Sequence, residues 1–296
     1  NYTKKFEKYL KNNDDMTKLI ESFITLSNNI ENNLDNLERT TAEKEKIETE
    51  FKIASNIQSG MLKTNFDEFS NDKPFEIYGL MKPAKVVGGA FYDYFDMDAD
   101  NAAFVIGDVS GTGVPATLFM VKTMQLIENH SKFNSDLEEL FEKVNDLTCR
   151  GNDDNLIVTS WFGKLNFKSG KLSFVNAGHN SPLVKHGNQD FEFLKIKPDT
   201  NIGSTENVSY KKHEIDLIPG DMLFLYTDGA TGKKNNPESF YTDNLLRETV
   251  NKYKDENPEN MIESIETDLY QVYNYDNPKD DITMLVIKYN GCESYE

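Results

Sequence analysis

The first 62 residues contain no proline, and their only glycine is Gly60. A stretch without either breaker lacks the usual chemistry of tight turns, which argues against hairpins and a compact sheet there. Cysteine is scarce too: Cys149 and Cys292 lie far apart and in no metal-ligand spacing, so a reduced, cytoplasmic chain is expected. Positive charge is short, with 32 Lys and Arg against 50 Asp and Glu and a net charge of −18, which argues against nucleic-acid or anionic-membrane partners. No apolar run approaches the roughly 18–20 residues of a membrane span, and no signal-peptide pattern is visible. G-x-S-x-G, a P-loop and His/Cys zinc spacing are all missing. Because the chain starts at Asn1, inside a helical pattern, it is expected to be a fragment. An upstream membrane segment, which would make this the cytoplasmic part of an inner-membrane sensor, therefore stays open.

What is present begins with a helix. Residues 1–62 carry apolar side chains at steps of three and four, among them Leu19, Phe23, Ile30, Leu34, Leu37, Ile47 and Phe51. Ile30, Leu34 and Leu37 fit a heptad seam that Thr41 and Lys44 interrupt. A lone helix of this length has nothing of its own to cover such a stripe, so a parallel coiled-coil homodimer is expected. A helix folded back on its own domain is the alternative. The stretch from Asp14 to Phe23 is similar to the second helix of a HAMP signal-relay module.

At 296 residues, 38% hydrophobic and 28% charged, the chain can hold one sizeable soluble domain beside this helix. From Pro74 onward, β-branched and aromatic runs read as strands at 75–81, 102–109, 156–166, 171–176, 208–217, 221–226 and 282–289. Lys168-Ser169-Gly170 reads as a hairpin turn. Helical patterns at 114–129, 137–147, 244–253 and 258–272 fall in two pairs between the strand runs, which gives an α+β layered fold.

Four acidic motifs punctuate this domain: V-G-G-A-F-Y-D from Val87, G-D-V-S-G-T-G from Gly107, Y-T-D-G from Tyr226 and D-D-I-T from Asp280. Most place an Asp at the end of an apolar strand-like run, where the sheet fixes it and solvent still reaches it. Converging carboxylates repel one another unless cations lie between them, so the set reads as a hard-metal site with oxygen ligands.

These motifs, with I-A-S-N-I-Q-S-G-M-L, N-A-G-H-N-S-P-L and P-G-D-M-L-F-L-Y-T-D-G, occur in an order that resembles the stage II sporulation E and sigma-regulator branch of the metal-dependent type 2C Ser/Thr protein phosphatases. The resemblance runs from about Ile53 to Tyr289. It implies a four-layer α/β/β/α sandwich over residues 63–296, preceded by a helical linker over residues 1–62. It further implies that Asp108, Asp228 and Asp280, with the Val109 carbonyl, bind two Mn²⁺ or Mg²⁺ ions. Those ions would activate a water for in-line attack on a phosphoserine or phosphothreonine. The implied substrate is a phosphoprotein such as an anti-sigma-factor antagonist. Asp281 is expected to be structural, and His179 is as well explained by a turn as by the site.

One departure bears on activity. The family pattern G-G-D-x-Y-D is here Gly88-Gly89-Ala90-Phe91-Tyr92-Asp93, so a carboxylate is missing at position 90. Either an inactivating substitution or natural degeneration accounts for it, and Asp93 is not expected to replace the missing group. Thr112 and Gly232 also differ from the family's Lys and Glu. The rival reading is a degenerate, non-catalytic domain that binds a phosphoprotein or another partner without turnover.

Overall fold

The computed structural model describes residues 15–134, 136–231, 242–273 and 280–292, so residues 1–14 and Gly232 lie outside the described residues. The chain divides into two units, residues 1–54 and 55–296. In the first, helix α1 (Asp15–Met61) carries Leu19, Phe23, Leu26, Ile30, Leu34, Leu37 and Ile47, each at least 51% exposed. No helix among the described residues is long and apolar enough to cross a membrane.

The second unit is built on two five-stranded sheets. Its elements, after the last turns of α1, are α2 (Phe66–Ser70), β1 (Phe75–Lys82), β2 (Phe91–Asp96), β3 (Asn101–Val109), α3 (Val114–Ser131), α4 (Leu137–Cys149), β4 (Val158–Asn166), β5 (Lys171–Ala177), β6 (Leu183–Lys185), β7 (Glu192–Phe193), β8 (His213–Asp216), β9 (Met222–Tyr226), α5 (Asp243–Lys252), α6 (Pro258–Tyr273) and β10 (Ile282–Tyr289). One sheet has the order β1-β10-β9-β6-β7 and the other β2-β3-β4-β5-β8, with neighbouring strands antiparallel throughout.

Three apolar layers separate four structural ones. Phe91, Phe95 and Val105 pack outward against Met120 and Ile127 of α3 and Leu140 and Val144 of α4. Their strand neighbours Tyr92, Tyr94, Phe104 and Ile106 point inward with Trp161, to meet Phe75, Leu225, Leu285 and Ile287 of the other sheet. On that sheet's far face, Phe224, Met284 and Val286 lie under Leu246 of α5 and Ile262, Ile265 and Leu269 of α6. The expected α/β/β/α sandwich is therefore present. Each fully buried side chain of this kind contributes about 1.5–3 kcal/mol, as an upper estimate. Phe75 and Phe104 meet edge to face across the sheets at 5.5 Å. Helix starts are chemically specified: Asp136 accepts from the N–H groups of Glu138 and Glu139, Thr242 accepts from Leu245, and Pro115 lies in the first turn of α3.

Differences from the sequence reading have local causes. The run 208–217 was expected to be one strand, but only His213–Asp216 pairs. Before it, side chains satisfy the backbone: Lys211 N–H donates to Asp199 and Lys212 N–H to Glu138. Likewise, Leu156 N–H donates to Asn152 and Ile157 N–H to Ser110 Oγ, so β4 begins at Val158. His186 is exposed, while His130 and His213 are half-buried and His213 stacks on Phe174.

Candidate metal centre

Strand register brings the acidic motifs to one end of the sandwich. Phe91 at the start of β2 faces Gly107, Asp108 near the end of β3 faces Thr159, and Ile282 opening β10 faces Lys82 at the end of β1. β9 ends beside β10 and runs into a 3₁₀ turn, Asp228–Ala230.

Asp281 ties these pieces together. Its Oδ2 accepts from the N–H groups of Gly89 at 2.7 Å and Ala90 at 3.3 Å, and its Oδ1 accepts from Ala84 N–H at 2.8 Å. Its carbonyl accepts from Thr227 Oγ1 at 3.0 Å, and the same hydroxyl accepts from Thr283 N–H at 3.0 Å. Close approach explains two glycines: a Cβ on Gly88 would run into the Asp281 carboxylate, and one on Gly229 into the Asp281 carbonyl. Buried and held by backbone donors, Asp281 is a structural residue, as expected from the sequence.

Asp108, Asp228 and Asp280 are all half-buried on this rim. Asn180 Nδ2 donates to Asp228 Oδ1 at 2.9 Å. Thr159 Oγ1 lies 3.4 Å from the Asp108 carbonyl, to which it donates, and 3.2 Å from His179 Nδ1. His179 itself sits in a turn closed by Asn176, which accepts from His179 N–H and donates to its carbonyl. Val109 N–H donates to the Gly89 carbonyl at 3.3 Å, which places the Val109 peptide against the glycine loop.

Ala90 is fully buried beside that loop, a methyl where a carboxylate was expected. Asp93 does not substitute for it. Its Oδ1 is 2.8 Å from Lys63 Nζ and accepts from Tyr94 N–H. Burial raises its pKa despite the nearby lysine. At Thr112, Lys85 Nζ from the neighbouring loop donates to the hydroxyl at 3.1 Å. The rim's side-chain donors are carboxylates, a set suited to a hard divalent cation. They are one short of the expected set. Among the described residues, no group of three or more His, Cys, Asp or Glu side chains is close enough to hold a metal ion.

Sequence reasoning missed the support behind the loop. Gln58, near the end of α1 and 4% exposed, donates from Nε2 to the Gly88 carbonyl at 2.8 Å and accepts from Gly88 N–H at 3.1 Å. Thr117 of α3 donates to the same carbonyl at 2.9 Å. Gly88 is thus a junction between α1, α3 and, through Gly89, Asp281. The motif I-A-S-N-I-Q-S-G contained Gln58, and N-A-G-H-N contained Asn180, but neither spacing named a partner.

The stage II sporulation protein E (SpoIIE) family matches residues 98–290. The chain belongs to that family. Among curated relatives, the phosphoserine phosphatase RsbU of Bacillus subtilis is 22% identical over 246 residues, which are 83% of this chain and 71% of RsbU. Protein IcfG of Synechocystis is 27% identical over 244 residues, 73% of this chain but only 38% of IcfG. The SiaA-PP2C domain of Pseudomonas aeruginosa superposes with a TM-score of 0.71 at 22% identity, covering 84% of this chain and 98% of that domain. The PP2C phosphatase domain of SpoIIE from Bacillus subtilis, with a fragment of its regulatory domain, gives 0.62 at 18% identity, covering 73% and 64%. These superpositions establish the PP2C-like sandwich. SpoIIE family membership supports a metal-dependent Ser/Thr phosphatase signalling domain, and with it dependence on a divalent cation.

Proposed function

We propose that residues 63–296 form a protein Ser/Thr phosphatase output domain that dephosphorylates a small partner-switching phosphoprotein, of which an anti-sigma-factor antagonist is one kind. The strand register that brings Asp108, Asp228 and Asp280 to one end of the sandwich carries this reading. Asp108, Asp228 and Asp280, with the Val109 carbonyl, would hold two Mn²⁺ or Mg²⁺ ions. When bound, such ions neutralise phosphoryl oxygens and lower the pKa of water. The chain's own residues prepare the rim. Asn180 orients the Asp228 carboxylate, Thr159 braces the Asp108 peptide, and Asp281 holds the 84–90 loop against the rim.

Residues 1–62 are proposed as the regulatory linker, a HAMP-like helix that pairs as a parallel coiled coil in a homodimer, within a cytoplasmic or membrane-attached sensor. The exposed apolar side chains of α1 support pairing. Through the Gln58–Gly88 hydrogen bonds, the end of this helix reaches the loop that carries Ala90.

A second reading is kept by Ala90: a degenerate domain that binds a phosphoprotein without turnover. Hydrolysis of an aryl phosphate with Mn²⁺ separates the two. The Ala90→Asp variant is expected to exceed the parent chain by on the order of 10²–10³-fold, the usual scale for restoring one electrostatic group at a reacting centre. A folded variant as inactive as the parent would favour the binding module.

A further inference from the structure

Outside α1, the large apolar side chains that stand exposed among the described residues are Val86, Val114, Leu118, Phe133 and Ile218. Isolated exposed apolar residues are ordinary, but three of these belong to the two segments that frame the rim. Val114 and Leu118 lie one turn apart on α3, immediately after the Asp108 motif, and so share a face. Val86 lies in the loop that leads to Ala90. Two hydrogen bonds fasten that loop to the start of α3: Lys85 Nζ to Thr112 Oγ1, and Thr117 Oγ1 to the Gly88 carbonyl. The three exposed side chains thus lie on the two joined segments next to the Asp108 motif and Ala90.

We propose that Val86, Val114 and Leu118 form an apolar docking rim for hydrophobic residues flanking the phosphorylated Ser or Thr of a protein substrate. The proposal rests on the phosphatase reading and adds what the enzyme recognises beyond the phosphoryl group. Two observations favour a substrate segment as the occupant. The three residues belong to the segments that flank the Asp108 motif and Ala90, and hydrogen bonds join those segments to each other. The patch also carries Lys85, an exposed cation whose described partner is the neutral Thr112 hydroxyl, in a chain of net charge −18. A phosphorylated segment with apolar neighbours matches both the charge and the exposed surface. Partial burial of aliphatic side chains is the source of selectivity, and a factor of ten in affinity is within its reach.

The test uses fluorescence anisotropy on the chain with Mn²⁺ and three labelled peptides. One has a phosphoserine with leucine two residues to either side, the second has serine in place of both leucines, and the third is the leucine peptide without phosphate. The leucine phosphopeptide is expected to bind about tenfold more tightly than either control. Leu118→Glu and, separately, Val86→Ser are expected to bring the ratio of the two phosphopeptide affinities close to one. Both sites are exposed, and thermal unfolding of the variants checks that they fold. Equal affinity for the two phosphopeptides would overturn the docking rim, while aryl phosphate hydrolysis by Ala90→Asp would leave the phosphatase reading standing. Equal affinity for the leucine peptides with and without phosphate would assign the patch to a partner other than a substrate and also overturn it. If Ala90→Asp hydrolyses no aryl phosphate, the phosphatase reading falls, and the substrate assignment falls with it.

Discussion

The loop behind the rim and the rim itself both use aspartate, in opposite surroundings. Behind, Asp281 is buried and its two carboxylate oxygens accept three backbone N–H groups. In front, Asp108, Asp228 and Asp280 are half-buried, and Asp228 takes a side-chain amide from Asn180. A carboxylate saturated by backbone donors is fixed and has little left to offer a cation. One that is half-buried at a strand end can still be reached by solvent, and so by a hydrated cation. Neighbouring residues of one type are thus held differently: Asp281 is fixed by three backbone N–H groups and shapes the loop, whereas Asp280, which accepts the Asp281 N–H, is the one proposed to face a cation.

The largest effect that would sharpen this contrast is on stability. Asp281→Ala strands three backbone donors, and unfolding in urea is expected to show a loss of about 3–5 kcal/mol. A loss no larger than that of Asp280→Ala would erase the distinction between loop and rim. Gln58→Ala comes next. It leaves Gly88 N–H without its acceptor while Thr117 still serves the carbonyl, so a loss of about 1–2 kcal/mol is expected. Hydrogen exchange should rise within 84–90; unchanged exchange there would show that α1 does not brace the loop.

The smallest effect concerns Asp93, a third kind of aspartate, buried against Lys63. Its folded pKa lies above the unfolded value of 3.8 because burial outweighs the lysine. Its contribution to stability is therefore fully present below 3.8 and declines as pH rises through the raised folded value. Relative to Asp93→Asn, the parent chain should lose stability across that window. The opposite slope would mean that Lys63 dominates.

The sandwich was largely legible because its strands bury both faces and read as dense aromatic and β-branched runs. β2 was absorbed into the V-G-G-A-F-Y-D motif and not seen as a strand, since its six residues follow the glycine loop directly and are broken by Asp93 and Asp96. β6 and β7 are three and two residues long, too short to show a period. Asp108, Asp228, Asp280 and Ala90 could be named from ordered motifs. Gln58 and Asn180 could not be assigned roles, because their partners lie 30 and 48 residues away in sequence and only the fold brings them together.

The most direct test of the rim as a hard-cation site is calorimetric titration of Mn²⁺ into Ala90→Asp, with and without Asp228→Asn. Binding to the single variant, weakened about 10–100-fold or more by Asp228→Asn while Asp281-dependent folding stays intact, is the expected result. Mn²⁺ affinity that does not change with Asp228→Asn would contradict the assignment of the rim.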